Sequence, residues 1–136
     1  MTDFERFAEA LAKTESYDVP TAWGDPKSSE GSSIYGINGS SKVIHGSNFM
    51  ACGRWQIHPA WYAEWADPAI QVGWSWDEAF RAALKRFYEK ESANVTTEVD
   101  KAMIFHLGSS AWARGEWDKN YETRFKGFYG AKTEAS

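Results

Sequence analysis

The 136-residue chain has little of what several classes of protein require. It contains one cysteine, Cys52, which excludes an intramolecular disulfide and any zinc site built from several cysteines. Its apolar runs are only a few residues long, so the sequence predicts no membrane span. Residues 1–15 are acidic and amphipathic, without the basic and apolar regions of a secretory signal peptide. These features predict a chain that is made in the cytoplasm and folds without oxidation.

Positive charge is also scarce. The chain carries 15 Lys and Arg residues against 19 Asp and Glu residues, a formal net charge of −4, and the basic residues form no cluster. Nucleic acid is therefore not an expected partner, because binding it depends on local positive charge. The histidines His45, His58 and His106 follow no metal-ligand spacing, so structural or substrate-contact roles are predicted for them rather than a metal site.

Aromatic residues, by contrast, are abundant, with 8 Trp, 8 Phe and 6 Tyr. A core of this size can bury only some of the indoles, and each buried indole N–H needs a partner, so some tryptophans should line a surface. Trp61 and Trp65, one helical turn apart, are interpreted as buried. Trp112 and Trp117 follow Gly108 in a predicted loop and are candidates for a ligand groove.

The sequence patterns predict an α+β fold that is mostly helical, with one small β-hairpin. Hydrophobic periodicity and capping residues predict helices that begin near Thr2, Pro59, Ser75, Thr97 and Asp118. The helix that begins near Thr97 is predicted to end at Gly108, and the last helix at Gly130. The Gly- and Ser-rich segment 24–52 contains Asn38-Gly39, which is typical of a hairpin turn. We interpret residues 1–130 as one domain, residues 24–52 as a hairpin or lid segment within it, and residues 131–136 as a frayed tail.

Glu15 is the residue most suited to acid–base chemistry. It lies four positions beyond Leu11 on the apolar stripe of the first helix, close to the helix C-terminus. Loss of solvent and the helix macrodipole both disfavour the charged carboxylate and so raise its pKa. A carboxyl that is still protonated near neutral pH can act as a general acid. The alternative is a solvated glutamate in a last helical turn, with no catalytic role.

Four motifs then occur in a recognisable order. They are Glu15-Ser16, Gly53-Arg54-Trp55-Gln56-Ile57-His58-Pro59, Phe105-His106-Leu107-Gly108 and Glu122-Thr123-Arg124. In this order they resemble the soluble lytic transglycosylase and goose-type lysozyme families of the lysozyme-like superfamily. The resemblance extends from about Phe4 to Tyr129.

The resemblance implies a lysozyme-like fold and cleavage of the β-1,4 bond between N-acetylmuramic acid and N-acetylglucosamine in peptidoglycan, without a cofactor or metal. Glu15 corresponds to the catalytic acid. In a lytic transglycosylase the same residue later accepts a proton from the muramic C6 hydroxyl, which gives a 1,6-anhydro product. The expected substrate-binding residues are Ser16, Trp55, Gln56, His106, Trp112 and Tyr129.

The chain also departs from the family pattern. His106 replaces an asparagine, and the position of the family's late tyrosine falls near Phe125, so that Tyr121 or Tyr129, one turn away, are the candidates to replace it. The segment between Glu15 and Gly53 is long enough to supply a second carboxylate, Asp25 or Glu30, for hydrolysis. Asp25 is also interpreted as a turn residue.

The leading hypothesis is a monomeric lytic transglycosylase that binds peptidoglycan glycan strands. It is favoured over a hydrolytic muramidase because Gly53-x-x-Gln56 resembles the former more closely. A non-catalytic glycan-binding or virion structural module is the alternative from another class. The sequence is compatible with a phage lysin or virion-associated lytic protein that is delivered to the cell wall or periplasm, or with a secreted effector.

Overall fold

A computed structural model describes residues 1–19, 51, 53–68 and 76–135. Within these ranges the chain is mostly helical, as predicted, and contains no strand. The helices of the described ranges are α1 (Asp3–Ser16), α2 (Pro59–Trp65), α3 (Trp76–Ser92), α4 (Glu98–Leu107), α5 (Ser109–Ala113) and α6 (Lys119–Ala135). Asp25, Glu30, Cys52, Ser75 and the predicted hairpin and lid segment, apart from its residue 51, lie outside the described residues. None of the described helices combines the length and the apolar character that crossing a membrane requires.

The first helix begins as its sequence predicts. The Thr2 hydroxyl accepts a hydrogen bond from the backbone N–H of Glu5, and the Glu5 carboxylate accepts one from the backbone N–H of Thr2, each at 3.1 Å. This reciprocal capping box satisfies two N–H groups that have no partner within the helix. At the other end, Tyr17 adopts a left-handed conformation with φ of 58° and ends the helix after Ser16. Glu15 therefore lies in the last turn of α1.

The fourth helix also starts and ends at the predicted residues. The Thr97 hydroxyl accepts a hydrogen bond from the backbone N–H of Asp100 at 3.1 Å. Gly108 ends α4 with φ of 92° and ψ of 153°, a region that is open essentially only to glycine. The chain turns there directly into α5, which corrects the interpretation of this stretch as a loop. A helix of five residues is too short to produce a periodic hydrophobic pattern.

The last helix is longer than predicted. It was expected to end at Gly130 and to be followed by a frayed tail, but α6 continues to Ala135. A glycine inside a helix costs only about 1 kcal/mol relative to alanine, and the alanine, lysine and glutamate that follow Gly130 are good helix formers. The penalty at one glycine is therefore too small to end the helix.

The core is centred on α1, which packs against α3 and α6. Phe7 is fully buried, with its ring 5.0 Å from that of Tyr88 in α3 and 5.8 Å from that of Phe125 in α6. Phe125 is also fully buried. This aromatic contact sets α1 beside α6 and brings the C-terminal end of α1 towards the beginning of α6.

We predict that Phe125→Ala lowers the free energy of unfolding by about 3–5 kcal/mol, because it leaves a cavity between α1 and α6. Urea unfolding monitored by circular dichroism measures the change. Lys85→Ala, at an exposed position of α3, is the control and should change stability by less than about 0.5 kcal/mol. Equal stabilities of the two variants would contradict the proposed packing.

Candidate functional site

The Gly53-x-x-Gln56 motif forms a tight turn before α2. Gly53 has φ of 80°, a left-handed conformation that glycine adopts without steric cost. The Gly53 carbonyl oxygen accepts hydrogen bonds from both the backbone N–H of Gln56, at 3.1 Å, and its side-chain Nε2, at 3.0 Å. The spacing of the motif therefore has a structural reason, since the glutamine closes the turn that the glycine permits.

Hydrogen bonds hold this turn against the end of α1. The Ser16 hydroxyl donates to the Arg54 carbonyl oxygen at 2.7 Å and accepts from the Val19 N–H at 3.0 Å. The Arg54 guanidinium contacts the carboxylates of Asp18, at 2.6 Å, and Asp77 in α3, at 2.7 and 3.0 Å. Ser16 thus joins the helix to the turn, and its expected contact with substrate stays a prediction.

This arrangement brings three of the predicted site residues, Glu15, Gln56 and His106, to one cavity of about 70 Å³. They come from α1, the turn and α4, which are far apart in the sequence. The other described residues that line the cavity are Ile57, His58, Trp61 and Phe105. The cavity therefore combines a carboxyl, an amide and an imidazole with apolar and aromatic walls.

Glu15 is partly buried, and the Tyr121 hydroxyl donates a hydrogen bond to its Oε2 at 2.5 Å. Burial raises the pKa of the Glu15 carboxyl above its ordinary value. The hydrogen bond from Tyr121 and the nearby charges of His106 and Arg124 act in the opposite direction and offset part of the effect. The upward direction of the pKa shift agrees with the sequence-based expectation, and burial is one of the two causes that the sequence suggested.

The structure distinguishes between the two candidate tyrosines, since Tyr121 contacts Glu15 and Tyr129 does not. The Tyr129 ring stacks on Phe125 at 5.5 Å and lies beneath the Arg6 guanidinium at 4.0 Å. Eight residues of helix separate the tyrosines by about 12 Å along the α6 axis. Tyr129 therefore lies beside the first half of α1, which corrects the expectation that it belongs to the Glu15 site.

His106 contacts the same tyrosine. Its ring stacks on that of Tyr121, with 3.9 Å between centroids and 6° between planes, and its Nε2 lies 2.9 Å from Asp118 Oδ2. Asp118 Oδ1 accepts the backbone N–H of Tyr121 at 3.0 Å. The hydrogen bonds from the Tyr121 backbone and from His106 lower the pKa of Asp118.

Of the three tryptophans expected at a ligand groove, Trp55 is placed differently from the expectation. Trp55 is 3% exposed and donates from Nε1 to the Ala8 carbonyl oxygen at 2.8 Å, so it belongs to the core. This corrects its expected role, because a buried ring has no free face for a sugar. Trp112 is partly buried and donates to Asp100, whereas Trp117 is 43% exposed.

Sequence reasoning missed Trp61 as a residue of the cavity. Trp61 was interpreted as buried, yet it lines the cavity, and its ring packs in a T-shaped arrangement with that of Phe105 at 5.2 Å between centroids. His58, for which a structural or substrate-contact role is predicted, lines the cavity as well, from the N-cap position of α2. The signal for Trp61 was its proximity in the chain, because α2 begins directly after the turn that positions Gln56.

The Glu122-Thr123-Arg124 motif lies on α6 and contributes no acid to the cavity. Glu122 accepts hydrogen bonds from Trp117 and forms ion pairs with Lys119 and Lys126. These contacts, that of Lys126 foremost, lower the pKa of Glu122 to about 2. Arg124 donates to the Thr14 carbonyl oxygen at 3.0 Å, next to Glu15. The motif therefore fastens α6 to the end of α1.

In the part of the chain that the structure describes, no three His, Cys, Asp or Glu side chains are grouped to hold a metal ion. The sequence matches no protein-family model, no curated protein and no solved structure. The motifs and the geometry around Glu15 are therefore the features from which a function can be inferred.

We predict that Glu15→Gln is more stable than the wild type at pH 8, and that the difference decreases towards pH 4. A carboxyl whose pKa is raised by folding stabilises the protein below its unfolded-state pKa, near the ordinary value of 4.5, and loses that contribution as the pH rises through the folded-state pKa. Glutamine does not ionise. Urea unfolding at pH 4, 6 and 8 measures the difference.

The control is Glu89→Gln, the same substitution at an exposed position of α3. Its stability relative to the wild type should not change in this way over the same range. A pH-independent effect of Glu15→Gln would show that the Glu15 carboxyl is not destabilised by ionisation.

Proposed function

We propose that the protein is a peptidoglycan-cleaving glycosidase with a lysozyme-like fold that acts on the β-1,4 bond between N-acetylmuramic acid and N-acetylglucosamine, with Glu15 as the general acid. The observation that carries the proposal is the partly buried Glu15 carboxyl, held by Tyr121 in the cavity that Gln56 and His106 share. A raised pKa supports the role, because the carboxyl must keep its proton until the glycosidic bond breaks.

The contact with Tyr121 also determines which oxygen of the Glu15 carboxyl carries the acidic proton. The pKa of Tyr121 is raised well above its ordinary value, chiefly by burial, so its hydroxyl remains a donor to Oε2. The acidic proton of Glu15 is then carried by Oε1. After that proton leaves, the same hydrogen bond stabilises the carboxylate.

In the proposed reaction, Glu15 Oε1 gives its proton to the glycosidic oxygen while the bond from that oxygen to muramic C1 breaks. The N-acetylglucosamine side leaves as an alcohol, and positive charge develops at C1 and the ring oxygen. The Glu15 carboxylate then takes the proton of the muramic C6 hydroxyl, whose oxygen bonds to C1. The product is a 1,6-anhydro sugar, and Glu15 is again protonated, so no water is consumed.

The transglycosylase reaction is favoured over hydrolysis by the composition of the cavity. An inverting hydrolase needs a second carboxylate to activate water, and a retaining one needs a second carboxylate as nucleophile. Glu15 is the single carboxyl among the described residues that line the cavity. Hydrolysis would require a group from elsewhere, such as Asp25 or Glu30.

We predict that the wild-type protein releases soluble fragments from purified peptidoglycan sacculi and that Glu15→Gln reduces the rate by at least about 100-fold, because the general acid is lost. Glu89→Gln is the matched control and should retain the wild-type rate. Absence of release by the folded wild type would contradict the enzymatic proposal and favour a non-catalytic glycan-binding module, whereas equal release by Glu15→Gln would contradict the role of Glu15 as the general acid.

The products distinguish the two enzymatic reactions. We expect mass spectrometry of the fragments to show 1,6-anhydro-muramic ends, which are lighter than reducing ends by one water molecule. Reducing muramic ends would instead identify a muramidase. In that case Asp25→Asn and Glu30→Gln, measured separately, would show which of these carboxylates takes part.

A further inference from the structure

Tyr121, which donates a hydrogen bond to Glu15, is itself held by contacts with Asp118 and His106. One oxygen of Asp118 accepts the backbone N–H of Tyr121, and the other lies 2.9 Å from His106 Nε2. The His106 ring is parallel to that of Tyr121 and 3.9 Å away, and the Tyr121 hydroxyl donates to Glu15. Asp118 thus restrains Tyr121 in two ways. It accepts the backbone N–H of Tyr121 directly, and it contacts the His106 imidazole that stacks on the Tyr121 ring.

Helix capping explains only half of this arrangement. An N-cap residue needs one side-chain oxygen for a backbone N–H, and Asp118 uses Oδ1 for that purpose. The second oxygen contacts a histidine that retains 30% of its side-chain exposure and lines the cavity. A partly exposed pair of this kind adds little to stability. What it does is orient the flat imidazole against Tyr121.

The ring of Tyr121 needs this restraint because its hydroxyl must meet one oxygen of Glu15. The ring is buried, with His106 of α4 stacked on it and the Arg124 guanidinium 5.7 Å from its centroid. A positive charge on the His106 ring would be attracted to the face of the tyrosine ring.

We propose that His106 and Asp118 form a positioning pair that holds Tyr121 against Glu15 and so keeps the Glu15 carboxyl oriented for proton transfer. Neither residue donates or accepts the proton in the reaction. The inference depends on the proposed function of Glu15. It adds His106 and Asp118, which act on the orientation of the Glu15 carboxyl through Tyr121.

Electrostatics add a second consequence. Among the described residues, the groups that face Glu15 are Tyr121 and Arg124 from α6, His106 from α4, and Gln56 and His58, which line the same cavity. A positive charge on His106 favours the ionised form of Glu15 and lowers its pKa. Replacing His106 with a neutral ring should therefore move the titration of Glu15 to higher pH.

Two variants separate positioning from folding. Asp118→Asn retains an oxygen for the helix cap, since asparagine is a good N-cap residue, but its amide NH₂ is a donor and cannot accept a hydrogen bond from the N–H of His106 Nε2. His106→Phe retains a flat ring for stacking and removes both nitrogens. Glu116→Gln makes the carboxyl-to-amide change at an exposed residue just before Asp118 and is the control.

Kinetics on soluble glycan fragments test the positioning role. In Asp118→Asn we expect kcat to fall by roughly tenfold with little change in KM, because the acid remains but is less well oriented. In His106→Phe we expect the alkaline limb of the pH–rate profile to move to higher pH. Glu116→Gln should retain the wild-type values.

A second readout does not depend on activity. The Glu15 carboxyl is followed by NMR through a pH titration of labelled protein, and we expect its midpoint to rise in His106→Phe. Wild-type kcat in Asp118→Asn, together with an unchanged Glu15 midpoint in His106→Phe, would overturn the positioning pair. Failure of the proposed function would instead be seen in Glu15→Gln retaining activity, so the two failures are distinguishable.

Discussion

The hydrogen bond from Tyr121 to Glu15 is the interaction on which the candidate site depends. It joins the last turn of α1 to the first turn of α6, and it exists because Phe7 and Phe125 pack those helices side by side. Packing that buries the aromatic rings also withdraws solvent from the carboxyl. The bond then compensates Glu15 for part of the lost hydration, whichever protonation state it adopts.

Two glutamates that interact with α6 show how environment sets the role of a carboxyl. Glu15 has few compensating charges, and burial raises its pKa. Glu122 has Lys119, Lys126 and the Trp117 indole around it, and its pKa falls to about 2. Glu15 is therefore suited to keep a proton, and Glu122 is suited to form ion pairs. The destabilised carboxyl is the one in the cavity, as is common for groups that take part in acid–base chemistry.

Local features of the fold were predictable because they depend on neighbouring residues. Thr2 and Thr97 cap their helices through residues three positions away, and Gly53 and Gln56 close their turn within four residues. The upward pKa shift of Glu15 also followed from its place on an apolar stripe. The end of α6 was not predictable, because Gly130 costs too little to stop a helix by itself.

The sequence by itself determined the described helices other than α5, the caps at Thr2 and Thr97, and the identity of the carboxyl, amide and imidazole that meet in the cavity. Tertiary structure decided which aromatic side chains are buried in the core and which line the cavity or contact Glu15. It placed Trp55 inside, Trp61 at the cavity, and Tyr121 rather than Tyr129 on Glu15. The reason is physical: periodicity identifies an apolar face, but the neighbours of that face come from helices distant in the chain, and their packing selects the contacts of each ring.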